Sequence, residues 1–211
     1  MTVITLTTDF GLRNGFVGVM KGVISGIAPQ VEIVDISHTI APQNVQEGAF
    51  TLRRAVPFFP RGTVHVYVVD PGVGTLRRAL AARLGDHYFV GPDNGLLTPL
   101  IESAEQNNQS IEFIHLSNPK YWLPKISRTF HGRDIFAPSA AHLANGVPLR
   151  ELGSPFHDPV QMQLPHPEKT DNGWIAHITV IDIFGNLTTY LPAAALEDRT
   201  DMLFRVRGAE V

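Results

Sequence analysis

Across 211 residues the chain carries 17 Lys and Arg against 20 Asp and Glu, a formal charge of -3 that argues against nucleic acid or an anionic membrane as its main partner. With 44% hydrophobic and 18% charged residues it has the make-up of a soluble globular protein, and the lack of cysteine removes disulfides, thiolate nucleophiles and thiolate metal sites. The opening Met1-Thr2-Val3-Ile4-Thr5-Leu6 is too short for a secretory apolar core, and no apolar run reaches membrane-spanning length, so the cytoplasm is the expected location.

Val3 to Thr8 reads as a strand that delivers Asp9-Phe10-Gly11 at its C-terminal end. Gly15 to Ala28 reads as a helix, with Val17, Met20, Val23, Ile24 and Ile27 at helical spacing and Pro29 as its stop. Val31 to Ile36 is the next strand, and strand, helix, strand is the unit of a parallel sheet. A second helix is expected from Asn44 to Ala55. The β-branched run Thr63 to Val69 reads as a strand buried on both faces, so Asp70 falls where open α/β sheets place their chemistry. Pro71, Gly72 and Gly74 shape the following loop, which is expected to return Arg77 and Arg78 towards Asp70. The same residues would also suit a plain turn, with the aspartate capping backbone amides and the arginines solvated.

Ala79 to Leu84 and His87 to Val90 read as an antiparallel pair about a Gly85-Asp86 turn. Gly91-Pro92-Asp93-Asn94-Gly95 is then a loop where backbone could approach a ligand, Leu96 to Ser103 a short helix, and Ile111 to Ile114 a strand. A helix from about Ile135 to Asn145 has Asp134 as its expected N-cap and Pro138 in its first turn. His131 would lie just ahead of that helix N-terminus, where negative charge is favoured. Pro155, Pro159, Pro165 and Pro167 then fall in a stretch with little periodicity, and Trp174 to Ile181 alternates as one strand. The expected plan is an N-terminal α/β domain over 1–155, a proline-rich linker over 156–172 and a partial β domain over 173–211. The fold class is α/β: a three-layer α/β/α domain with a mostly parallel sheet, plus a small antiparallel β domain with too few strands to close by itself.

Asp9, Asp70 and Asp93 each follow a β-rich run and would gather at one sheet edge, where carboxylates bind ribose hydroxyls, hold a hard cation or orient a water. His131 adds a possible base, and Arg77 a cation that cannot accept a proton. Rival patterns score poorly. Gly72-Val73-Gly74 lacks the third glycine of a dinucleotide fingerprint, and neither a phosphate-binding GxxxxGK[ST] loop nor a GxSxG elbow occurs. His131 and His142 do not have zincin spacing, and His65, within a strand, reads as a core or surface residue.

Six ordered motifs then carry a resemblance: Leu6-Thr7-Thr8-Asp9-Phe10-Gly11, Val19-Met20-Lys21-Gly22, Val69-Asp70-Pro71-Gly72-Val73-Gly74-Thr75 with Arg77, Gly91-Pro92-Asp93-Asn94-Gly95-Leu96, Thr129-Phe130-His131-Gly132-Arg133-Asp134, and Asp182-x-Phe184-Gly185-Asn186. Together they resemble the S-adenosylmethionine hydroxide adenosyltransferase family, relatives of the fluorinase and chlorinase enzymes. The resemblance implies hydrolysis of S-adenosyl-L-methionine to adenosine and L-methionine, by attack of water or hydroxide on the ribose 5′ carbon, with no metal or other cofactor. It maps the catalytic residues onto Asp70, Arg77 and His131. In the halogenating relatives a tyrosine replaces the aspartate and the Arg/His pair is missing, so Asp70 points to the water-using branch. His131 and Asp70 are expected to hold and deprotonate the water, with Arg77 fixing Asp70. Asp9 is implied to bind the ribose hydroxyls, Asp182 to lie near the methionine amine, and Phe184 and Asn186 to face the adenine. The resemblance further implies a homotrimer whose pockets lie between subunits, and a longer second domain than this sequence shows. Two other readings use the same residues: a metal-dependent nucleotidase with Asp9, Asp70 and Asp93 as ligands, and a non-catalytic protein that binds adenosine or S-adenosylmethionine.

Overall fold

The computed structural model describes residues 2–196, 202–206 and 209–210. These divide into two compact units, 1–164 and 165–211.

The first unit is built on a sheet of seven strands in the order β2-β1-β3-β5-β4-β6-β7: β1 Val3–Thr8, β2 Glu32–Ser37, β3 Val64–Val68, β4 Ala79–Leu84, β5 His87–Pro92, β6 Ile111–Leu116 and β7 Gly153–Phe156. Strands β2, β1, β3 and β5 are parallel neighbours, whereas β4 runs against β5 and β6, and β7 against β6. Five of the seven strands thus point the same way. Alternation sorts their side chains onto two faces. Ile4, Leu6, Val64, Val66 and Val68 pack with Val17, Met20 and Ile24 of α1 (Phe16–Ile27) and with Ala140 and Ala141 of a later helix. Tyr67, Val69, Leu80, Ala82 and Phe89 pack on the opposite face with Ala49 and Leu52 of α2 (Val45–Ala55) and Leu100 and Ile101 of α3 (Thr98–Gln106). The unit is therefore a three-layer α/β/α sandwich. Each fully buried aliphatic side chain in these two cores contributes about 1.5–3 kcal/mol by transfer from water.

Local signals behave as expected in most places. Asn44 caps α2 by accepting from Glu47 N at 3.0 Å. The segment expected as one helix from Ile135 is instead a π-helical turn, Gly132–Phe136, running into α4 (Ala137–Ala144). Pro138 has no N–H to give the Asp134 carbonyl four residues back, and that carbonyl accepts from Leu123 N at 2.9 Å. Asp134 is consequently not an N-cap. It is buried inside the turn, where its Oδ2 accepts from both the N–H and the Oγ of Ser127 at 2.8 Å.

The division between the units falls between Leu164 and Pro165, within the proline-rich stretch. Strand β7 lies at the start of that stretch, as the outermost strand of the large sheet. Among its described residues the second unit holds three two-stranded antiparallel ribbons: β8 (Glu168–Thr170) with β9 (Gly173–Ile175), β10 (Ile178–Ile181) with β11 (Leu187–Thr189), and β12 (Arg205–Val206) with β13 (Ala209–Glu210). Strand β8 occupies part of the expected linker. The single strand expected over Trp174 to Ile181 is two strands with different partners, since alternation along a segment does not reveal where the partner changes. Ile175, Ile181, Ile183 and Phe184 of this unit are exposed.

Candidate active site

The C-terminal ends of the parallel neighbours β1, β3 and β5 deliver Asp9, Asp70 and Asp93 to the same edge of the sheet, as the strand pattern requires. Their carboxylates then take separate partners.

Asp70 lies two residues beyond β3, and the loop of Pro71 to Leu76 carries Arg77 back to it. Arg77 Nε donates to Asp70 Oδ1 at 2.9 Å and to Oδ2 at 3.1 Å, while Nη2 donates to Oδ2. The two side chains are only 4% and 10% exposed, so this forked ion pair is screened far less than a surface pair. The Arg77 guanidinium also lies over the Phe136 ring, 5.3 Å from its centre. Loop shape makes this return possible. Gly74 adopts φ 76° against the Arg128 carbonyl, which leaves no room for a Cβ.

His131 stands at the entrance of the π-helical turn, and Arg77 Nη2 donates to its Nδ1 at 2.9 Å. Arginine has no acceptor, so Nδ1 must supply the lone pair and the neutral ring carries its proton on Nε2. Burial, together with the positive charge of Arg77, lowers the His131 pKa below the ordinary 6.5, against the opposing pull of Asp70, Asp134 and the Ser127 backbone. The ring is held by the loop before it. Asp134 binds Ser127, whose Oγ in turn accepts from Phe130 N at 3.0 Å. Burial raises the Asp134 pKa, but hydrogen bonds from Arg133 and Ser127 outweigh it and leave the carboxyl below the ordinary value.

Arg78 departs from expectation. Instead of turning to Asp70, its Nε donates to Asp93 Oδ2 at 2.8 Å and its Nη1 to Asp158 Oδ1 at 2.7 Å, with the guanidinium 4.3 Å from the centre of the Phe156 ring. Asp93 Oδ1 also accepts from Val160 N at 2.8 Å, and Asn94 Nδ2 donates to the Val69 carbonyl at 2.8 Å. The polar groups of the Asp93 loop are spent on the protein itself. Among the described residues no group of three or more His, Asp or Glu side chains converges as metal ligands. A nucleotidase built on Asp9, Asp70 and Asp93 gains no support from this geometry.

Asp9 is half-buried, and its Oδ2 accepts from Gln43 N at 2.8 Å. Gln43 holds a left-handed backbone, φ 63°, which is uncommon outside glycine. No sequence signal marks it, because the contact uses main chain alone.

In the second unit, Asp182 to Asn186 form the turn between β10 and β11. Asp182 Oδ1 accepts from Phe184 N and Asn186 N, both at 2.9 Å, and Oδ2 from Asn186 Nδ2 at 2.7 Å. This carboxylate fixes the turn and leaves the Phe184 ring 82% exposed.

Residues 4–153 match the family model described as SAM hydroxide adenosyltransferase N-terminal domain. The chain is 41% identical over 196 residues to (R)-S-adenosyl-L-methionine hydrolase of Salinispora arenicola, covering 92% of this chain and 74% of that protein. The enzyme of the same name from Thermus thermophilus is 40% identical, with coverage of 90% and 75%. A fluorinase from an Actinoplanes species is more distant, 33% identical over 222 residues with coverage of 92% and 73%. Among solved structures, an uncharacterized conserved protein from Thermotoga maritima superimposes with a TM-score of 0.86 at 37% identity, covering 96% of this chain and 76% of that one.

Proposed function

The chain belongs to the SAM hydroxide adenosyltransferase family and hydrolyses S-adenosyl-L-methionine, and we propose that Asp70, Arg77 and His131 form the centre where this reaction occurs. The observation that carries the reading is the single guanidinium of Arg77 fastening a buried carboxylate and a neutral imidazole at once.

Water attacks ribose C5′. The new bond joins its oxygen to that carbon, the C5′–S bond breaks, and the electron pair stays on sulfur as the neutral thioether of L-methionine. Adenosine and one proton are the other products. Unaided water, with a pKa of about 15.7, needs a group to orient it and take up that proton. Asp70 suits this role. Among the described residues its Oδ1 receives only the Nε bond from Arg77, so a lone pair remains for a water hydrogen. His131 suits it less, because the acceptor nitrogen of its ring already serves Arg77. We therefore assign the water to Asp70, with His131 holding the guanidinium in place and Arg77 fixing both. The site also avoids opposing its cationic substrate. Asp70 and Arg77 sum to zero charge, and the lowered pKa keeps His131 uncharged near neutral pH. A dry pocket favours the loss of charge as the sulfonium becomes a thioether.

Asp9 is proposed to bind the ribose hydroxyls through Oδ1, which receives no hydrogen bond from the described residues while Oδ2 is anchored. Asp182, Phe184 and Asn186 are proposed to face the substrate from a neighbouring copy in a homotrimer. The preformed Asp182 turn and the exposed Ile183 and Phe184 side chains support that role. No metal or other cofactor takes part in this scheme, and neither nucleic acid nor membrane is a partner. No described helix is long and apolar enough to cross a membrane. A chain without cysteine suits the reducing cytoplasm, where we place it.

The test is turnover in H₂¹⁸O with EDTA present. Adenosine carrying the label on its 5′ oxygen, with L-methionine in equal amount, is expected. Unlabelled adenosine, or activity that requires a divalent ion, would overturn the scheme.

A further inference from the structure

Away from the catalytic cluster, a series of polar contacts runs from the surface into the turn that carries Asp9. Lys21 Nζ donates to Asp35 Oδ2 at 2.6 Å, and the other oxygen of Asp35 lies 3.0 Å from Nε2 of the buried His38. That last pair lies at contact distance without making a full hydrogen bond, and its attraction is electrostatic. On the far side of the ring, His38 Nδ1 lies 2.9 Å from the Oγ1 of Thr8, itself completely buried. Thr8 Oγ1 then accepts from Phe10 N at 3.3 Å. Burial raises the Asp35 pKa, but Lys21 and His38 together outweigh it and leave the group lowered.

Direction follows from the donor inventory. The Asp35 carboxylate beside Nε2 favours the tautomer with the ring proton on that nitrogen, and Nδ1 is left as an acceptor for the Thr8 hydroxyl. That hydroxyl, having given its hydrogen to the ring, presents its lone pairs to the Phe10 amide. The main chain of His38 acts on the same turn, since its carbonyl accepts from Gly11 N at 2.7 Å. Asp9 is thus bracketed. Thr8 before it and Gly11 after it are tied to His38, Phe10 is tied to Thr8, and its own carboxylate is tied to Gln43, five residues beyond His38 along the same loop.

We propose that His38 is a positioning residue for substrate binding, acting through the Thr8 hydroxyl to hold the Asp9 turn where its free carboxylate oxygen meets the ribose hydroxyls. The proposal rests on the assignment of Asp9 to the ribose. It concerns affinity rather than the chemical step, because none of these atoms touches Asp70, Arg77 or His131 in the contacts described.

The experiment compares steady-state constants for S-adenosyl-L-methionine in Thr8→Val, His38→Asn, His38→Gln and Asp9→Ala. Thr8→Val keeps the shape of the side chain and removes the hydroxyl. His38→Asn can place an acceptor where Nδ1 stood, whereas His38→Gln matches the position of Nε2 and abandons Thr8. Expected are a KM raised about tenfold in Thr8→Val and His38→Gln, the size of one lost hydrogen bond, and partial rescue in His38→Asn, with kcat moving much less in all three. Thermal melts verify that each variant is folded at the assay temperature. A raised KM in Asp9→Ala with unchanged KM in folded Thr8→Val would overturn the role of His38 and leave the ribose assignment standing. An unchanged KM in Asp9→Ala would overturn the ribose assignment, and the proposal with it.

Discussion

Arg77 Nη2 donates both to Asp70 Oδ2 and to His131 Nδ1, so one nitrogen fastens the carboxylate and the imidazole together. Lysine can neither form the fork to both carboxylate oxygens nor reach two partners from one planar group. Arg77→Lys is expected to lose about a hundredfold or more in kcat, the scale of removing one preorganised donor. Initial rates on S-adenosyl-L-methionine, with a thermal melt to show retained fold, check this.

The tautomer of His131 sets a pH dependence. A proton on Nδ1 would take the lone pair that Arg77 uses and place two positive groups side by side. Burial and Arg77 both hold the pKa below 6.5, so the neutral ring persists at neutral pH and is lost only on acidification beyond that value. The acid limb of kcat/KM is expected below pH 6.5, and His131→Gln is expected to lack it. A limb centred above 6.5 in the wild type would contradict the described environment.

Gly74 and Gly146 separate backbone strain from collision. Both have positive φ, 76° and 89°, but a Cβ at Gly74 would lie 2.3 Å from the Arg128 carbonyl oxygen, whereas nothing lies within 4 Å at Gly146. Gly146→Ala is expected to cost about 1–2 kcal/mol, the left-handed backbone penalty alone. Gly74→Ala is expected to cost more and to reduce turnover, since the loop that aims Arg77 must shift. Denaturant midpoints and kcat for the two variants decide the matter.

His65 makes the large sheet acid-sensitive. Its Nδ1 lies 2.8 Å from Thr5 Oγ1 and its Nε2 3.1 Å from His87 Nδ1, and it is completely buried. Burial first, and His87 second, push its pKa down to about 3. The unfolded chain therefore binds a proton from about pH 6.5 downwards that the folded chain refuses until about 3. Stability is complete above that window and falls through it with a slope approaching about 1.4 kcal/mol per pH unit. His65→Gln should start less stable but show a shallower decline between pH 6 and 4 in urea titrations.

Sequence pattern carried much of this architecture, for physical reasons visible in particular residues. A continuous β-branched run buried on both faces marked β3, and apolar spacing of 3.6 marked α1 through Val17, Met20 and Ile24. The convergence of Asp70, Arg77 and His131 came from ordered motifs rather than from periodicity. Less legible were contacts that side-chain chemistry does not advertise. Gln43 acts through its amide, and Asp134 looked like a cap because the effect of Pro138 on the preceding turn depends on Leu123, a residue distant in sequence. The i, i+3 spacing of Asp35 and His38 was visible all along, but only the neighbouring strand shows that it ends on Thr8.

Arg77 and Arg78 are adjacent letters that fasten different loops, the first to Asp70 and the second to Asp93 and Asp158. Successive side chains of an extended segment leave on opposite sides, so their order is a matter of parity. Inserting one residue between Arg78 and Ala79 would turn each cation to the opposite side relative to β4 and break both pairings. Gene libraries that vary this stretch should accordingly tolerate substitution at Leu76, which is fully exposed, far better than any change of length.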